Sequence, residues 1–183
     1  MPPHNEKLTG LLRMSAVLSH VSKAVAVIFL LVNAAMWLVP DFALDAAHSQ
    51  TNLGAAMKIT LTTETTLLAL AVSTAYVGLL AIALWSIARL FGEFSKGAIF
   101  VPQTGAHLRR AGLFLFFYAL LSPTFRTLIG VIVTIANPPG QRELAIGIGS
   151  QEIVLGLIAA LLVMLGHIMA EAAHIADDNR QIV

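Results

Sequence analysis

Arg126 is the costliest residue in this sequence, because it stands within a run of apolar residues long enough to cross a bilayer. An arginine at the centre of a membrane helix costs roughly 2.5–3.5 kcal/mol on insertion scales, so its side chain is expected to face other helices or a water-filled pocket. Counting about 15 residues from the basic start of its span places it in the outer half at the helical rise. Glu64 and Glu152, at the outer ends of neighbouring spans, are its prospective partners. A ligand or ion contact is the functional reading of Arg126. A structural salt bridge beside the bend expected at Pro123 is the plainer one, and the sequence favours it.

The histidines are the next group with chemistry. His20, His107, His167 and His174 fall near one set of span ends. A b-type haem would need two axial histidines at equal depth on facing helices, and His20 with His167 is the pair that could supply them. His167, Glu171 and His174 are spaced i, i+4 and i+7 and so share a helix face that could hold a metal. No surrounding pattern supports either, and a solvated helix end explains them; no cofactor and no metal are expected. Without cysteine there are no disulfides, thiolate metal sites or iron–sulfur ligands. No GxSxG, HExxH or Walker loop occurs and no acidic pair lies inside a span, so no enzyme is expected. Asn33, Ser73, Thr74, Ser122 and Arg126 are too few polar residues to line a transport pathway.

The elements that position these residues follow from composition. The chain of 183 residues is 57% hydrophobic and 11% charged, against roughly 25% charged in soluble domains. Its mean hydropathy is +0.82. Such a chain cannot solvate its own surface in water, and the expected class is an all-α integral membrane protein, a four-helix bundle forming one domain. The spans are expected at about 17–39, 67–88, 111–136 and 152–170, the last helix running on into the tail 171–183. Residues 1–16 read as a polar, basic lead to an uncleaved first span. Trp37 beside Pro40 reads as an interface marker, and 53–59 as a short helix on the membrane surface. Small residues on two spans, Ala71, Ser73 and Ala75, then Gly156, Ala160, Gly166 and Ala170, could admit a close helix; on the last span that helix would belong to another subunit.

Charge then fixes the expected orientation. One side collects Lys7, Arg13, Lys23, Arg89, Lys96, Arg109, Arg110 and Arg180, eight residues, against Lys58 and Arg142 on the other. By the positive-inside rule both termini and the connector 89–110 are cytoplasmic, in a bacterial inner membrane. A formal net charge of +1 without a basic block gives no reason to expect nucleic acid. The partners expected are the bilayer and another protein. The basic connector, with Lys96, Arg109 and Arg110, and the acidic tail, with Glu171, Asp177, Asp178 and Asn179, are the candidate partner-binding residues.

Two segments carry a family likeness. The connector LFGEFSKGAIFVPQTGAHLRRAG, with Gly97, Ile99, Phe100, Leu108, Arg109, Arg110 and Gly112, resembles a pattern in domain of unknown function 2975, a family of small four-span bacterial membrane proteins. The tail AEAAHIADDNRQIV is similar to that family's ending at Glu171, Ile175, Asp177, Asp178, Asn179 and Val183. Here Asp177-Asp178 stands where Glu-Glu is usual, and Ala172 where Gly is common. The resemblance implies four membrane helices without an assigned activity. Some relatives are similar to membrane partners of small helix-turn-helix repressors, which would imply a sensor or tether. An accessory subunit of a larger respiratory or transport complex is the alternative.

Overall fold

The computed structural model describes residues 4–51, 59–98, 101–138, 147 and 149–181, with side chains described between Leu8 and Asp177. Among these it is all-helical: α1 His4–Leu38, α2 Pro40–Ser49, α3 Thr63–Ser95, α4 Pro102–Thr134 and α5 Ser150–Gln181. The stretches Leu8–Leu38, Thr63–Ser95, Pro102–Thr134 and Ser150–Asp177 are each long and apolar enough to cross a membrane. Four such helices are compatible with a multi-pass membrane protein.

Helices extend beyond the apolar runs that mark them. Residues expected as a polar lead belong to α1, and most of the connector 89–110 is helical: only residues 96–101 separate α3 from α4. The break is a compact Schellman turn. Gly97 takes φ +79°, its N–H donates to the Phe94 carbonyl, and the Ala98 N–H reaches back to Glu93. Among the described residues, that left-handed position is the one place where glycine is needed for its backbone freedom. Pro102, lacking an N–H, then opens α4 where a free donor would be orphaned. At the other end the threonine-rich run starts α3 with a reciprocal cap. The Thr62 hydroxyl accepts from the Thr65 N–H, while the Thr65 hydroxyl accepts from the Thr62 N–H. The connection between α1 and α3 also forms α2, immediately after α1; residues 52–58, most of the segment expected as a surface helix, lie outside the described residues.

Contacts run along the chain order of the long helices, α1 on α3, α3 on α4 and α4 on α5, all antiparallel. Ser19, midway along α1, donates to the Ala88 carbonyl in the last third of α3 at 2.7 Å. Further along the same pair, Asn33 Nδ2 donates to Thr74 Oγ1 at 3.1 Å. The α4–α5 seam closes on glycines. A Cβ on Gly105 would lie 2.7 Å from the Gly166 carbonyl, and one on Gly112 would lie 2.8 Å from the Ala159 carbonyl. Gly166 and Ala170 thus meet α4 of the same chain rather than a second subunit, as the small-residue pattern had suggested. Gly156 has open space around it.

No extended contact joins α1 to α5 among the described residues. The row α1–α3–α4–α5 is therefore an arc, with α3 and α4 at its centre and the first and last helices as flanks. Burial follows that order: in the apolar 18-residue stretch of each helix, 33% of α4 is buried, against 11% of α1 and of α5. The central cluster joins Trp37, Ala46, Ala47, Ala69, Phe125, Ile129 and Val133. Trp37, expected at the membrane interface, is only 1% exposed, because α2 folds back over it and supplies Ala46 and Ala47.

Candidate functional site

The concave side of the arc is a cleft of about 380 Å³ that every helix lines. Its position follows from the topology: where α1 and α5 part, the inward faces of α3 and α4 are left open between them. Arg126 enters it from α4 and Glu152 from the first turn of α5, with 3.6 Å between Arg126 Nη2 and Glu152 Oε1. Glu152 is held by more than charge. Ser122 Oγ donates to its Oε1 at 3.0 Å, and the Gly149 N–H donates to its Oε2 at 2.9 Å. A carboxylate in the first turn of a helix also complements the helix dipole. Of the two carboxylates expected for Arg126, the fold thus supplies Glu152; Glu64 stands exposed in the first turn of α3.

A column of three rings forms the wall beside this pair. Tyr76 of α3 stacks between Tyr118 and Phe125 of α4, at centroid distances of 4.3 and 4.1 Å. Its hydroxyl donates to the Tyr118 carbonyl at 3.0 Å. These are the only two tyrosines in the sequence, and nothing in their spacing announces that they meet. Pro123, one turn before Thr127, has no N–H to offer the Ala119 carbonyl, and Ala119 lines the cleft.

Across the cleft, Asn33 is 5% exposed and its Oδ1 has no hydrogen-bond partner. Gln50 Oε1, at the end of α2, is likewise buried and unpartnered, and it lines the same cleft. Together with Trp37 Nε1 and His48 Nδ1, these are the buried side-chain polar atoms without partners among the described residues. All four belong to the last turns of α1 and to the α2 segment. In the sequence Asn33 stands out only as a polar residue within a span and Gln50 not at all; their significance depends on α2 folding back.

At the other end of the molecule a second, polar depression of about 520 Å³ gathers His20 and Lys23 of α1, Arg89, Glu93 and Lys96 of α3, and His107 of α4. Lys96 bonds Glu93 at 2.9 Å, a surface pair contributing roughly 0–1 kcal/mol. Compared with protein-family models, with curated proteins and with solved structures, the chain matches none.

Of the residues expected to bind a partner, Lys96, Arg109 and Arg110 are exposed at this basic end, Arg110 lying 5.7 Å from the Phe114 ring centroid. Glu171 and Asp177 are exposed on α5 at the same end. The side chains of Asp178 and Asn179 lie outside the described residues. The backbone contact at Gly105, Arg109, Gly166 and Ala170 brings the start of α4 against the part of α5 that leads into the tail. Leu108 and Gly112, two positions of the connector motif, are buried in that seam, while the two arginines between them face outward. The histidines are not brought together: His20 lies on α1, whereas His167 and His174 are exposed on α5, the opposite flank of the arc. No group of three metal-ligating side chains is spaced for an ion among the described residues.

Proposed function

We propose that this is a non-enzymatic regulatory or tethering protein of a bacterial inner membrane. Its basic end is the cytoplasmic one, and the start of α4 and the tail of α5 there bind a protein partner together. The observation that carries this reading is the glycine seam. Gly105 and Gly166 hold the two helices at backbone contact, so Arg109 and Arg110 project from the same end as Glu171 and Asp177. A surface with both charges on two rigidly joined helices favours electrostatic selection of a partner over selection by apolar area. The positive-inside count supports the orientation, and the resemblance to the family of unknown function 2975 supports the tether.

Charge reversal tests it. The full chain is purified in mild detergent and co-purifying proteins are identified. Arg109→Glu with Arg110→Glu, and separately a chain ending at Ala170, are expected to lose a specific partner while inserting normally. Equal recovery of every partner by both variants overturns the reading.

A second reading, an accessory subunit of a larger membrane complex, is favoured by Gly156, which has open space around it, and by Ala160, exposed on the same flank. Recovery as a stable monomer from native membranes counts against it.

A further inference from the structure

The cleft between α1 and α5 has the features of a ligand site, and they specify the chemistry of the ligand. Its volume, about 380 Å³, lies within the ~300–1,000 Å³ typical of small-molecule pockets. Much of its lining is apolar, with Phe29, Val32, Val77 and Leu155 among it. The formal charges on its wall already cancel, because Arg126 stands against Glu152. An ion entering would leave one charge uncompensated in a weakly solvated place. Two side-chain acceptors on the wall are left without a donor. Asn33 Oδ1 and Gln50 Oε1 are buried acceptors without partners, and Pro123 withholds its donor from the Ala119 carbonyl.

The position adds a second constraint. Asn33 lies five residues before the end of α1 at Leu38, roughly 8 Å below that end at the helical rise. Gln50 and Gln151 also line the cleft. A head group here would sit close to the membrane surface, and its apolar body could leave between α1 and α5, which do not close on one another.

We propose that this cleft binds an uncharged amphiphile whose hydroxyl-bearing head group donates hydrogen bonds to Asn33 and Gln50 while its hydrocarbon body lies against the apolar lining between α1 and α5. The site is at the end opposite the partner-binding face, and the two proposals stand or fall separately.

The test uses the full chain in phosphatidylcholine nanodiscs and four probes that share one oleoyl body. Monoolein presents hydroxyl donors without charge, methyl oleate neither donors nor charge, oleate a negative head and oleylamine a positive one. Monoolein is expected to raise the thermal unfolding midpoint by several degrees, and the other three by far less. Asn33→Leu removes the unpartnered Oδ1 together with the Nδ2 bond to Thr74, and is expected to abolish the monoolein shift. Leu155→Trp, which obstructs the cleft and leaves the amide in place, is expected to abolish that shift as well, and it decides the matter if Asn33→Leu does not fold. Equal shifts for all four heads, no shift with monoolein, or a monoolein shift that survives both substitutions overturns the proposal.

Discussion

Gly105 and Gly166 touch through their backbones: a Cβ on the first would come within 2.7 Å of the carbonyl of the second, and one on the second within 2.6 Å of the Arg109 nitrogen. Neither clash can be relieved by turning a side chain. Gly105→Ala and Gly166→Ala are each expected to force the α4–α5 seam apart at a cost of about 1–3 kcal/mol. Gly156→Ala, which meets nothing within 4 Å, is expected to be neutral or to stabilise slightly by helix propensity. Unfolding midpoints of the three variants in one detergent check the ordering.

The Arg126–Glu152 pair is expected to respond unequally to loss of its members. Glu152→Leu removes the carboxylate facing Arg126 and frees the Ser122 hydroxyl and the Gly149 N–H, for about 1–2 kcal/mol. Arg126→Leu removes the costly charge itself and leaves Glu152 its other two donors, so less than ~1 kcal/mol is expected. The arginine side chain is 36% exposed and the contact is 3.6 Å, which discounts the ion pair to a coupling of roughly 0.5–1 kcal/mol. A double-mutant cycle measures that coupling directly. Values well above it would mean a drier and tighter pair than this geometry provides.

Trp37 and Trp85 should report different surroundings. Trp37 is 1% exposed within the central cluster, whereas Trp85 is 41% exposed on α3. In bilayers containing brominated lipid, the Trp37→Phe variant, emitting from Trp85, is expected to be quenched strongly. The Trp85→Phe variant, emitting from Trp37, should keep most of its fluorescence. Truncation of Trp37 to alanine is expected to cost roughly 3–5 kcal/mol as a large core deletion.

The start of α3 rests on two threonines that cap one another. Thr62→Ala removes the acceptor for the Thr65 N–H and is expected to cost about 1 kcal/mol. Hydrogen exchange should quicken over residues 63–66 while protection in the middle of α3 is unchanged. Uniform loss of protection along the helix would show instead that this cap controls the whole α3 docking.

Sequence alone was sufficient for four long apolar helices, for the polar break between α3 and α4, for the helical run from the last span into the tail, and for Arg126 facing a carboxylate across helices. Each follows from a local cost: apolar length against bilayer thickness, or a charge that must not face hydrocarbon. Helix limits were less legible, because α1 and α4 start among polar residues that continue the same backbone hydrogen bonds beyond the apolar run.

Only the tertiary structure decided which faces meet. In a membrane protein the lipid-facing and the packed faces of a helix are both apolar, so the periodicity that marks a core face in a soluble helix carries little information. Nothing in the sequence distinguished Gly166, pressed against α4, from Gly156, which meets nothing. Trp37 could not be moved from interface to core until α2 was seen to fold over it. The cleft has the same origin. It exists because α1 and α5 remain apart, and the polar atoms of Asn33 and Gln50 acquire meaning only through the apolar wall and balanced charges set opposite them by that arrangement.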